Sequence, residues 1–247
     1  MIPESAWPLL NFLLSARGDG PLVTMPTAER VSVVLAHPDD EIGCAGLIAR
    51  LVAGGAAVSV TYATAGEATR GSPYPREETA ERRRAEATTA CALLGTNTPQ
   101  FLGFGDGTLE SHVPALAARL SGVLTKEDPE IVLSPWFLDG HPDHRAVSRA
   151  LGATDIGPDV EIWGFEWWTP LVPNRLVDVS SVIEQKRRVA AVHTTAALAF
   201  DLEAGLGLAR WRSLSGLHGK GYAEAYLAAS RSEHSSLIAQ SASTPDA

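Results

Sequence analysis

The sequence predicts an α/β domain built on a mostly parallel sheet. Two observations predict it. VSVVLA (Val31–Ala36) and EIVLS (Glu130–Ser134) are continuous apolar runs rich in β-branched residues, as expected of strands buried on both faces. Helical segments alternate with strand candidates along the chain, the pattern of βαβ units with right-handed crossovers. A chain of 247 residues that is 45% hydrophobic is long enough to bury one such core.

The elements follow in order. Residues 4–16 carry Trp7, Leu9, Leu10, Phe12, Leu13 and Leu14 and predict a short amphipathic helix laid on the domain. This stretch lacks the basic start and small-residue cleavage site of a signal peptide, and it is too short to span a bilayer. Beyond a Gly/Pro-rich stretch and the first buried strand, residues 41–53 read as a helix stopped by Gly54-Gly55. Residues 57–63 read as a strand, 77–94 as a long helix ended by Gly95, 100–103 as a short strand and 113–124 as a helix. A second buried strand follows, then a helix from Pro142 to Leu151 and a strand over 160–165. Residues 180–192 and 204–214 read as helices. The Ser- and Ala-rich residues 230–247 are expected to form a mobile tail, which leaves residues 1–229 as the single domain.

The formal net charge of −9 argues against a broad nucleic-acid or anionic-membrane contact. The two cysteines, Cys44 and Cys91, form neither a disulfide framework nor a CxxC pair. They are expected to be small buried hydrophobes in a reduced, cytoplasmic protein. No GxGxxG or GxxxxGK[ST] follows a strand, so a nucleotide-binding module is disfavoured. Gly43-Cys44-Ala45-Gly46 instead reads as small residues that let a helix lie close on the sheet.

Two clusters carry the chemistry. Ala36-His37-Pro38-Asp39-Asp40-Glu41 directly follows one buried strand, and His141-Pro142-Asp143-His144 lies shortly after the other. Proline suits a first helical turn, and Asp there caps orphan N–H groups. A capped helix would therefore explain either motif alone. It does not explain histidines in both, because capping asks for none. Ligands of open α/β sheets sit beyond the carboxyl ends of the strands, where both clusters fall. Imidazole and carboxylate are good zinc ligands, and three of them leave a position open for water. His37 and Asp40 are three apart, as are His141 and His144, so each pair can converge from one turn. The remaining Asp and His are free for acid–base work. Two histidines and a carboxylate also match the facial triad of non-haem iron oxygenases, but those sites usually sit on β-barrels. Fe2+ remains an alternative ion.

The AHPDDE and HPDH motifs, about a hundred residues apart, resemble those of the LmbE/PIG-L family of zinc-dependent N-acetylglucosaminyl-type deacetylases. The resemblance extends over Thr64-Ala65-Gly66-Glu67, the Arg83-Ala85-Glu86 region, Leu102-Gly103-Phe104-Gly105-Asp106-Gly107 and the Lys186…His193 helix. It implies a Rossmann-like three-layer sandwich. It also implies a Zn2+-dependent hydrolase that removes an N-acyl group, N-acetyl foremost, from a small amino sugar or glycoside. His37, Asp40 and His144 are then the metal ligands. Asp39 is the general base, and protonated His141 stabilises the oxyanion with Asp143 orienting its ring. Arg70 contacts substrate. Hydrolysis of a larger amide, such as a thiol-sugar conjugate or an N-acyl glycosylated natural product, is an alternative, as is a non-catalytic metal- or carbohydrate-binding relative. Two positions depart from the family pattern. His193-Thr194-Thr195 stands where His-Ser/Thr-Gln is frequent, so His193 is read as structural. Asp139 stands where some relatives place a tyrosine. Trp163, Trp167 and Trp168 are read as core and rim aromatics that could line an acyl or sugar pocket. A homo-oligomer is left open.

Overall fold

The structure, a computed structural model, describes residues 21–242. The expected helix over 4–16 lies outside the described residues, as do residues 243–247. Among the described residues eight strands form one sheet: β1 (Leu22–Val23), β2 (Arg30–Leu35), β3 (Ala57–Tyr62), β4 (Gln100–Phe101), β5 (Ile131–Pro135), β6 (Glu161–Phe165), β7 (Arg175–Asp178) and β8 (Ala223–Ser230). Their order is β1-β7-β8-β6-β5-β2-β3-β4. All neighbours are parallel except β8, which runs antiparallel to both β6 and β7.

The helices are α1 (Ala45–Ala53), α2 (Arg76–Leu94), α3 (Val113–Glu127), α4 (Pro142–Gly152), α5 (Ile183–Val192), α6 (Glu203–Gly216) and α7 (Arg231–Ala242). The central strands explain the three layers. Val31, Val33 and Leu35 of β2 join a core with Ile42, Leu47, Ile48, Ala87, Leu94 and Val189 on one face. Val34 and Ala36 point the other way, into a core with Leu116, Leu120, Leu124, Val147 and Leu151. Alternate side chains of one strand are thus buried on opposite faces, which is why VSVVLA shows no polar alternation. Gly46 has its reason here. A Cβ at this position would collide with Val179 and the Glu224 carboxylate, so α1 can approach only without one. Among the described residues no helix is long and apolar enough to cross a membrane.

The last third departs most from expectation. β7 and β8 are not foreseen, and residues 231–242, expected in the tail, form α7. His234 and Leu237 of this helix are buried, and Ser235 donates to the Gly152 carbonyl at the end of α4. Burial of one face fixes a Ser/Ala-rich segment that has little hydrophobic patterning of its own. The helix expected from residue 41 begins instead as a 3-10 turn over Asp40–Cys44.

Candidate metal centre

The site lies where β2 and β5 end. After β2 the chain turns within five residues, and Asp40 closes the turn. Its Oδ2 accepts from the Ala36 and His37 backbone N–H groups at 3.1 and 2.8 Å. That leaves Oδ1 facing His144 Nε2 at 2.9 Å. Asp39 adopts φ 103°, a conformation unfavourable for a residue with a Cβ that persists only where the surroundings enforce it. They do so through Glu41, whose Oε2 accepts from the Asp39 N–H at 3.0 Å. Glu41 is in turn paired with His193, and both are fully buried. The structural reading of His193 therefore has a specific content, support of the Asp39 turn.

The second turn rests on Asp139. Its Oδ1 accepts from the His141 N–H at 2.9 Å and lies 3.1 Å from His144 Nδ1, while Oδ2 accepts from the Trp168 N–H at 3.1 Å. The two turns meet. Ring centroids are 5.6 Å apart for His37 and His144, 4.8 Å for His37 and His141, and 4.9 Å for His141 and His144.

Asp143 is not where the sequence reading put it. Its carboxylate accepts from the Gly107 and Leu109 N–H groups at 2.7 and 3.1 Å and lies 3.2 Å from His37 Nε2. The two amides of the 107–109 loop draw it to His37, so it does not orient the His141 ring through its side chain. Instead the Asp143 backbone N–H donates to His141 Nδ1 at 3.2 Å. Asp106 also reaches His37 Nε2, at 3.0 Å. With Nε2 taken by these two carboxylates, Nδ1 of His37 faces Asp40, 3.6 Å from its Oδ2.

The donor set fits a divalent cation. Ligand atoms of His37, His141 and His144 lie within 4.8 Å of one another, and those of His37, Asp106 and Asp143 form a second such group. His144 provides the sharper observation. It is fully buried, yet neither ring nitrogen has an aligned hydrogen-bond partner, although carboxylate oxygens lie close to both. Buried polar atoms are rarely left this way. Nε2 of His144 and Oδ1 of Asp40, close neighbours that do not bond each other, can both turn to one ion.

Electrostatics separates the groups. Burial opposes charge on His37 and His144, but the carboxylates around them prevail. His37 is raised well above its ordinary value by Asp106, Asp143 and Asp40, and His144 to about 9 by Asp40 and Asp139. His141 goes the other way, to about 4, through burial and the neighbouring His37 and His144. Burial and the charge on its two neighbouring rings favour the neutral form of His141, the opposite of the protonated ring expected from the sequence. With Nδ1 accepting from Asp143, its single proton sits on Nε2. Burial raises Asp39 to about 6, against the pull of Arg83. Asp40 lies well below the usual carboxylate range, because His144 and His37 overcome its burial.

A cavity of 440 Å³ opens over these groups, lined among others by His37, Asp39, Asp40, Asp106 and His141. Arg70 lines it and is exposed. Arg83 is a residue that sequence reasoning left without a role. Buried on α2, it lies 2.9 Å from Asp39 Oδ2 and donates to the Gly66 and Pro38 carbonyls and to Thr69 Oγ1. Gly66, at φ +68°, lets it through; a side chain there would collide with the guanidinium. Asp106 was also missed, although it lies in the quoted Leu102–Gly107 stretch. Of the three tryptophans, Trp163 is core, with Nε1 donating to Glu161 at 2.8 Å. Trp167 packs partly buried against the core, and only Trp168 lines the cavity.

Fold and rim together define a class: a three-layer α/β domain with a His/Asp cluster suited to a divalent cation at the carboxyl edge of its parallel strands. The family profile described as PIG-L: GlcNAc-PI de-N-acetylase matches residues 32–154. The diacetylchitobiose deacetylase of Thermococcus kodakarensis is 33% identical over 67% of this chain and 69% of that protein. A 1D-myo-inositol 2-acetamido-2-deoxy-alpha-D-glucopyranoside deacetylase of Mycobacterium sp. (strain JLS) is 31% identical over 74% of this chain and 68% of that protein. Among solved structures, a conserved protein of Thermus thermophilus, TT1542, superposes with a TM-score of 0.68 at 28% identity. The match covers 80% of this chain and 93% of that one. The chain belongs to the PIG-L (LmbE) family.

Proposed function

We propose that the protein is a zinc-dependent N-deacetylase acting on a small molecule that carries an N-acetylglucosamine unit. The observation that carries this reading is the meeting of His37, Asp40 and His144 beside Asp39, with His37, Asp39 and Asp40 on the wall of one cavity. The names of the relatives, deacetylases of diacetylchitobiose and of a glucosaminyl-inositol, support the substrate class.

In this reading His37, Asp40 and His144 would hold the ion. A divalent cation there would supply Lewis acidity and make water a nucleophile at neutral pH. Asp39 takes a proton from the attacking water as the water oxygen bonds to the amide carbon. Arg83 fixes the Asp39 carboxylate, and the Glu41 contact fixes its backbone. The Nε2–H of neutral His141 donates to the developing oxyanion. As the C–N bond breaks, Asp39 returns its proton to the departing nitrogen, which leaves a free amine and acetate. Arg70, exposed on the cavity wall, meets polar groups of the substrate. The buried, unpaired Cys44 and Cys91 support a reducing, cytoplasmic setting.

The test is to measure the metal content of the purified protein and its release of acetate from N-acetylglucosaminides with different aglycones. Stoichiometric zinc with acetate release is expected. A zinc-loaded protein that releases acetate from none of them would refute the reading.

A further inference from the structure

We infer that Glu86 is a positioning residue for Asp39, acting through the His193-Thr194-Thr195 turn. This rests on the assignment of Asp39 as the base, and extends that reading to a residue that is not on the cavity wall.

Asp39 needs two holds. Its carboxylate must stay aimed at the reacting water, and its backbone must stay at φ 103°, where a residue with a Cβ remains only under constraint. The first hold is Arg83, 2.9 Å from Oδ2. The second is Glu41, which accepts from the Asp39 N–H and is itself paired with His193. His193 stands at the C-terminal end of α5. Helix ends fray, so the Glu41 contact is only as firm as the turn that carries His193.

Glu86 fixes that turn. Its Oε1 accepts from Thr194 Oγ1 at 2.7 Å, and from the Thr195 N–H and Thr195 Oγ1 at 2.9 Å each. Hydrogen bonds to a carboxylate are the stronger kind. Thr195 is buried, so loss of the acceptor would leave its donors without water in its place. Glu86 follows Arg83 by three positions on α2, and both leave the helix on one side. One face of α2 thus holds Asp39 twice: by the carboxylate directly, and by the backbone through Thr195, His193 and Glu41. The proposed metal ligands have other supports. Asp40 is held by the Ala36 and His37 amides, and His144 lies against Asp139. Loss of Glu86 should therefore disturb the base more than the ion. The same turn runs on to Ala196, Ala199 and Phe200 on the cavity wall. A Glu86 that only shaped this wall would change KM, whereas one that places the base changes kcat.

The test uses the full chain loaded with zinc, and N,N′-diacetylchitobiose as substrate. Glu86→Ala should lower kcat roughly 10- to 100-fold, with KM within about twofold of wild type and zinc still stoichiometric. Glu86→Gln keeps a carbonyl oxygen and should retain most of the rate. Thr195→Val removes one donor and should lose rate in the same direction, with Thr195→Ser restoring it; this pair decides the matter if Glu86→Ala does not fold. Added to His193→Gln, Glu86→Ala should cost little more, because both break one path. A loss carried by KM, or losses that multiply in the double variant, would overturn the inference. Hydrogen exchange reads the same link without turnover. Glu86→Ala and Thr195→Val should speed exchange over residues 37–42 and leave β5 as protected as in wild type. Unchanged exchange over 37–42 would also overturn it. If wild type releases no acetate while that exchange still quickens, the deacetylase reading fails and the link from Glu86 to Asp39 stands.

Discussion

Asp139 Oδ1 lies 3.1 Å from Nδ1 of His144, with both side chains fully buried. The contact leaves Nε2 of His144 to face Asp40. A carboxylate behind a ligating imidazole fixes its tautomer and raises its basicity. Asp139→Ala should therefore weaken zinc binding by about 10- to 100-fold, with Asp139→Asn weaker in effect because one carbonyl oxygen remains. Competition with a chromophoric chelator would measure this, and unchanged affinity in the Ala variant would show that Asp139 only shapes the loop.

Asp39→Asn keeps the size of the side chain and removes the base. Turnover should fall by about 10²–10⁴-fold while bound zinc stays stoichiometric. Retained turnover would assign the proton transfer to another group.

The pH profile tests the same residue from another side. Asp39, raised to about 6 by burial, must be deprotonated to act, so kcat/KM should rise with pH along a limb near 6. Arg83 favours the charged carboxylate. Arg83→Gln should therefore move the limb to higher pH, and a limb that stayed in place would uncouple the two residues.

His234 provides a prediction about stability, from the contact of α7 with α4. Burial holds it at about 4 in the folded protein, against an ordinary 6.5, although its ring bonds the Ser148 carbonyl. As pH falls below 6.5 the unfolded chain gains this proton and the folded one does not until about 4. The stability tied to His234 is thus complete above 6.5 and decreases toward 4, by roughly 3 kcal/mol over the window. His234→Gln should flatten the slope of urea-unfolding free energy between about pH 7 and 5. A variant with the wild-type slope would place the acid sensitivity elsewhere.

The strands and helices between residues 30 and 165, and the two rim turns that carry His37, Asp39, Asp40, His141 and His144, are legible in the amino-acid order alone. Strands buried on both faces are continuous apolar runs, and two histidine-bearing turns at strand ends have no purely structural explanation. What each side chain faces was settled by folding. The folded chain gives the Asp143 carboxylate to His37, sets His141 beside two other imidazoles, and brings Arg83, Asp106 and Asp139 to the site from separate elements. It also creates β8 and α7. AEAYLAAS is rich in alanine and has weak strand propensity, and it becomes a strand because β6 and β7 bond both of its edges. Local pattern records whether a residue is buried and in which element it lies. The partner it meets depends on where elements distant in sequence come together, which no local window contains.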